Sequence, residues 1–172
     1  QEVEMKDAFN PTKRPWNAVR GGASGDAATH DTIAMHNTIA IQKCLDAARA
    51  KRKDVHIPAG TYLVNGTLTI PSGLAVYGDG PDDDGTILLH QPASAGVDLL
   101  HLNEATDVHL SDLCLKSRHE NSRHAIHAYR ATWLRVQDVR VSHYQEIPYP
   151  WKVAWNVGLW LERGLQNEFY NV

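Results

Sequence analysis

Ala105-Thr106-Asp107-Val108-His109-Leu110-Ser111-Asp112-Leu113-Cys114-Leu115 is followed, 26 residues on, by Ala131-Thr132-Trp133-Leu134-Arg135-Val136-Gln137-Asp138-Val139-Arg140-Val141. Apolar positions coincide: Val108 with Leu134, Leu110 with Val136, Leu113 with Val139, Leu115 with Val141. Upstream, Leu100-His101-Leu102 falls on Ile126-His127-Ala128. Within each copy the apolar residues alternate, skip one step at Ser111-Asp112 or Gln137-Asp138, and alternate again. Alternation marks a half-buried strand and the skip a corner. A fixed period of this length marks a solenoid. Two strands joined by a tight corner, with a third upstream, predict a parallel β-helix in which Val108 and Leu110 stack inside while His101 and His127 point outward.

A third copy keeps the pattern at a longer spacing. Leu159-Trp160-Leu161 aligns with Ile126-His127-Ala128 at an offset of 33, placing Arg163 on Arg130, Phe169 on Val136 and Asn171 on Asp138. The seven extra residues belong to the loop between Tyr144 and Val157. Insertions confined to one loop are how solenoids build binding surfaces.

The strand-rich region begins earlier. Val55-His56-Ile57, Thr61–Val64, Thr67–Ile70, Leu74–Tyr77 and Ile87–Leu89 are short, β-rich and separated by Gly, Pro and Asn turns, an all-β signature. Ahead of them Ile41, Leu45 and Ala48 recur at helical spacing, and Asp31-Thr32 or Asn37-Thr38 offers an N-cap. The expected division is an irregular arm over 1–30, a capping helix over 31–53 and β-helix coils over 54–172. The helix covers the open edge of the first coil. Trp16 and Val19 are positioned to dock the arm. At the other end Asn167–Val172 stops inside a coil with no cap, which predicts an incomplete solenoid: either a fragment, or a chain whose end another chain covers.

The 172 residues carry 17 Lys and Arg against 20 Asp and Glu, a net charge of −3, with no basic excess for nucleic acid. No apolar run reaches membrane-spanning length, and Gln1–Lys6 lacks the apolar stretch of a signal peptide. Cys44 and Cys114 show no metal-ligand spacing and read as free thiols. No cofactor or metal is expected.

Three segments resemble one family. Gly22–Thr32, Ala40-Ile41-Gln42 through Ala48, and Val55-His56-Ile57-Pro58-Ala59-Gly60-Thr61-Tyr62-Leu63 together with Leu74-Ala75-Val76-Tyr77-Gly78-Asp79-Gly80 are similar to the N-terminal region of the pectate-lyase superfamily. The resemblance implies a right-handed coil and a carbohydrate partner. Members include pectin-degrading enzymes, other glycosidases and phage tailspikes. The reading it favours is a phage tailspike or related polysaccharide depolymerase, lyase or glycoside hydrolase, located in the virion or outside the cell and forming a homotrimer. The alternatives are a secreted pectin-type lyase or hydrolase, and a non-catalytic structural or adhesive virion β-helix. The motif segments shape the cap and first coil and transfer no catalytic residue. Ala27 stands where the family usually has a second Gly, so the N-terminal turn and helix start are expected to be rebuilt.

Candidate chemistry lies in the loops. Glu120 and Glu146 are again 26 residues apart. Strands stack at about 4.8 Å, near the roughly 5–5.5 Å of a retaining glycosidase pair, so these two are the candidate catalytic carboxylates. Elimination on a uronic-acid polymer needs instead a base and a cation beside the sugar carboxylate. Lys116, Arg118 and Arg123, with His119 and His124, supply both. Tyr149, Trp151, Lys152 and Trp155 complete the expected substrate surface, flat rings suiting sugar faces. Asp112, Asp138 and Asn171 occupy equivalent corners. They read as a turn ladder rather than a carboxylate pair, because Asn at the third site keeps the hydrogen bonding and drops the charge.

Overall fold

The computed structural model describes residues 8–18, 27–117, 121–143 and 157–172. It is mostly β, with parallel pairing throughout and one helix, α1 (Ala27–Lys51), among the described residues. The strands are β1 (Val55–His56), β2 (Gly60–Val64), β3 (Leu68–Thr69), β4 (Leu74–Tyr77), β5 (Thr86–His90), β6 (Leu100–Asn103), β7 (Thr106–Ser117), β8 (His124–Tyr129), β9 (Thr132–His143), β10 (Val157–Glu162) and β11 (Glu168–Tyr170). One stack runs β3–β6–β8–β10. A second runs β1–β4 onto the first half of β7, then β9 and β11. A third runs β2–β5 onto the second half of β7, then β9.

The register is the one the repeat predicts. Val108 pairs with Leu134, Leu110 with Val136 and Leu113 with Val139, and Leu100 sits on Ile126. The third copy continues it, Leu159 on Ile126 and Phe169 on Val136. Apolar ladders therefore run along the stacks: Leu68, Leu100, Ile126, Leu159 in one and Val76, Leu110, Val136, Phe169 in another. All eight belong to one core cluster or pack against it. Each buried Leu, Ile or Val contributes roughly 1.5–3 kcal/mol by leaving water, so the stabilisation accumulates pass by pass. A smaller cluster of Ala34, Leu63, Ile87, Leu89 and Cys114 lies apart from it, with Ile33 packed against it.

The corners are single residues in the left-handed region. Asp112, Asp138 and Asn171 have φ of 56°, 50° and 50°, so β7 and β9 are each one strand that bends rather than two strands with a loop between. Asn171 Nδ2 donates to Asp138 Oδ1 at 2.7 Å, which fits the expected ladder and uses the two side chains directly. Two further ladders share the conformation: Glu104, Arg130 and Arg163 at 50°, 51° and 56°, and Asp107, Trp133 and Gln166 at 57°, 58° and 54°.

α1 starts four residues before the expected boundary and passes through both candidate caps without a break. Asn37 is fully buried. Thr38 Oγ1, rather than capping the helix, accepts from the Asn65 N–H at 3.0 Å. Ile41, Cys44, Leu45 and Ala48 face the core as expected. The polar residues between them close the strand edge. Gln42 uses both ends of its amide on Thr69, accepting from its N–H at 2.8 Å and donating to its carbonyl at 3.0 Å. Arg49 donates to the Ser72 carbonyl at 2.6 Å. Backbone groups that would otherwise invite another strand are thus satisfied. Phe9 pairs with Val55 beyond β1, and its ring lies 5.1 Å from that of Trp16; Val19 lies outside the described residues. No helix among the described residues is long and apolar enough to cross a membrane.

The Gly78-Asp79-Gly80 motif serves this first turn. A Cβ on Gly78 would lie 2.3 Å from the Asp112 carbonyl oxygen, so the backbones touch only because glycine is there. Asp79 accepts from the Ala59 N–H and from the His56 ring, each at 2.6 Å. Both cysteines are free and buried, and burial pushes the Cys44 thiol up to about 12.

His90 is buried beside Ser122 and Ser117. Its Nδ1 accepts from Ser122 Oγ at 2.9 Å, and Nε2 donates to the Gly66 carbonyl at 3.1 Å. Burial drives its pKa down to about 4 from 6.5. The unfolded chain therefore binds the extra proton first, between these two values. Stability is full above pH 6.5 and falls on acidification toward pH 4, by roughly 3 kcal/mol at most. Urea midpoints measured across this window are expected to fall less steeply for His90→Gln than for the unchanged chain. Equal slopes would remove His90 from the explanation.

Candidate functional site

The outward residues of the β3–β6–β8–β10 stack form a column. His101 of β6 sits on His127 of β8, and Trp160 of β10 follows in register. The two imidazoles stack at 5.0 Å with planes 20° apart. The Trp160 indole stacks on His124 of β8 at 5.5 Å and 10°. Alternation dictates the placement: their strand neighbours Leu100, Leu102, Ile126 and Ala128 are all buried. Trp160 remains 44% exposed, so a large flat ring faces solvent.

Asp98, just ahead of β6, organises the edge of this column. Its carboxylate is 5% exposed. It accepts Arg123 Nε at 2.8 Å and Nη2 at 2.5 Å, the His127 Nδ1–H at 2.9 Å and the His124 backbone N–H at 3.2 Å. Burial alone would raise this carboxyl, but the bonds from Arg123 and His127 together outweigh it and hold it below the ordinary carboxylate range. His101 is likewise pushed down, below the ordinary imidazole value, by burial and then by the neighbouring His127. With Nδ1 committed to Asp98, His127 presents Nε2 as an acceptor, and this buried nitrogen has no hydrogen-bond partner among the described residues. The arrangement can stack a flat ring on Trp160, accept a hydroxyl proton, and offer a partly exposed guanidinium at the rim. Among the described residues no three metal-ligating side chains converge.

Three of the expected site residues are described, and His124 is already placed in this column, under Trp160. Arg123 sits at this cluster, its side chain 42% exposed. Lys116 lies in β7 beside Leu89 of β5 and is tied to Asp83 at 2.8 Å, so the two cations are held by different partners on different stacks. Arg118, His119, Glu120, Glu146, Tyr149, Trp151, Lys152 and Trp155 lie outside the described residues. His127, Trp160 and Asp98 were absent from the expected site. The period itself carries the missing signal, because Asp98 and His124 are 26 residues apart and must meet.

A family model described as rhamnogalacturonase A/epimerase, pectate lyase-like, matches residues 16–141. No curated protein matches the chain. Among solved structures, ORF18 of Geobacillus virus E2 is similar with a TM-score of 0.59 at 17% identity, over 78% of this chain and 25% of that one. The Dettilon tailspike protein reaches a TM-score of 0.47 at 13% identity, over 95% of this chain and 39% of that one. The chain thus spans well under half the length of either. At such identity the first likeness is one of fold alone.

Proposed function

The chain belongs to the rhamnogalacturonase A/epimerase, pectate lyase-like family, and from that premise we propose that it is a right-handed parallel β-helix that engages a polysaccharide on its β3–β6–β8–β10 face. The observation that carries this is the outward column of His101, His127 and Trp160 with Asp98 and Arg123 at its edge. Rings repeated once per coil match a polymer of repeated rings, and the flat face of Trp160 stays open. In sequence, 118–120 fall between β7 and β8, and 144–156 between β9 and β10. Their Arg118, Tyr149, Trp151, Lys152 and Trp155 extend the proposed surface, and Lys116, near the end of β7 just ahead of 118–120 in sequence, is proposed to flank it.

In this reading Glu120 and Glu146 supply a carboxylate pair for hydrolysis. Arg123 and the column histidines supply the cation and base that elimination would need. The protein is proposed to work as part of a phage tailspike or related depolymerase, in the virion and as a homotrimer. The alternative is a binding-only adhesin, in which Asp98, engaged by Arg123, His127 and the His124 N–H, holds the surface in place and no acid is supplied.

The test is incubation with a panel of acidic and neutral polysaccharides, followed by absorbance of unsaturated uronates and by reducing ends. Depolymerisation is expected, with losses of about 100-fold or more in Glu120→Gln and Glu146→Gln at unchanged melting temperature. Binding without cleavage identifies the adhesin. Neither binding nor cleavage of any polymer refutes the proposal.

A further inference from the structure

On a different stack, the outer side of β7, β9 and β11 carries an open groove of about 280 Å³ beside Trp133, lined also by Asp107, His109, Arg135, Gln166 and Glu168. We propose that this groove is a second, separate binding site, which takes a single neutral sugar unit stacked on Trp133. It does not rest on the polysaccharide reading of the histidine face.

Trp133 is the first argument. It occupies the corner whose equivalents are Gly73, Asp107 and Gln166. Its φ of 58° lies in the left-handed region, which bulky side chains rarely adopt and which costs on the order of 1–3 kcal/mol. Nothing in the core explains that expense, because the indole is 56% exposed. A strained, solvent-facing tryptophan where small or flexible residues serve elsewhere points to use of its face.

His109 is the second argument. Its ring lines the same groove, and its Nε2 is buried behind that lining with no hydrogen-bond partner among the described residues. A buried polar atom left without a partner calls for one, and a sugar hydroxyl provides it. Charge selects the class of sugar. Arg135 donates to Glu168 through Nη2 at 2.8 Å and Nε at 3.1 Å, which leaves the Asp107 carboxylate as the remaining formal charge. An acidic sugar is repelled there, which favours a neutral sugar over an acidic one. Hydroxyl groups can donate to Asp107 and exchange hydrogen bonds with Gln166. The volume lies just under the roughly 300–1,000 Å³ of drug-sized pockets, which suits one ring rather than a chain.

Indole N–H resonances of the whole chain, titrated with D-glucose, D-galactose, D-mannose, N-acetyl-D-glucosamine and D-galacturonate, test this. At least one neutral sugar is expected to move the Trp133 signal, with galacturonate weaker by about tenfold or more. Trp133→Asn should abolish that binding at equal or higher melting temperature, since Asn tolerates the left-handed conformation. Trp160→Ala should leave it intact. The proposal is overturned if no neutral sugar moves Trp133, if galacturonate binds equally, or if Trp160→Ala removes the response. It is also overturned if the Trp133 signal changes with protein concentration alone, which would make this face a self-association surface.

Discussion

Val136→Asp is expected to abolish the cooperative melt. Val136 is fully buried between Leu110 on one side and Phe169 on the other. The substitution removes an apolar side chain contributing roughly 1.5–3 kcal/mol and inserts a carboxylate with no partner, a further several kcal/mol. Domains of this size are held by about 5–15 kcal/mol, so little would remain. One residue earlier the outcome reverses. Arg135 faces outward with its side chain 53% exposed and an ion pair to Glu168, and Arg135→Gln should shift stability by no more than about 1 kcal/mol. Far-ultraviolet circular dichroism during heating separates the two. Similar curves for both variants would mean that the alternation along β9 does not decide which side is buried.

The second large effect belongs to Asp98. Removing one partner of a buried ion pair typically costs about 3–5 kcal/mol. Arg123 is 42% exposed on its side chain and regains water, so Asp98→Ala should cost about 1–3 kcal/mol. The functional loss is expected to be larger. Without the carboxylate, His127 loses its orientation and Arg123 its position, and polysaccharide affinity should fall about tenfold or more. Because the Asp98 pKa is lowered on folding, its contribution is present above the ordinary carboxylate range. It is lost only as pH falls through the folded value, below the window in which His90 acts. Unchanged affinity in Asp98→Ala, with the stability loss seen, would leave the cluster a purely structural one.

The stacking of this fold is written in the sequence because each pass repeats the same alternation. A slip of one residue would turn Val108, Leu110 and Leu113 outward together, so the register at 26 residues is fixed by burial. The helix start was not legible. Asp31-Thr32 and Asn37-Thr38 have cap chemistry, but Thr38 spends its oxygen on Asn65 and Asn37 is buried, tertiary uses that local pattern cannot reveal. The site was half legible. Loop composition drew attention to Arg123, while its anchor Asp98 sits in an irregular stretch whose partners lie 25, 26 and 29 residues away. Trp133 aligned as one more letter of the repeat, because a backbone angle leaves no mark on a hydrophobic pattern. Its strain emerges only once φ is known.

The claim that matters most is that the column of His101, His127 and Trp160 is the polysaccharide face. Histidine ring and tryptophan indole resonances, followed while the chain is titrated with an oligosaccharide from whichever polymer it binds, test this residue by residue. Signals of His101, His127 and Trp160 should move together with one affinity, while His56, paired with Asp79 on another stack, stays still. Movement of His56 or of other sites with the column unchanged would contradict it.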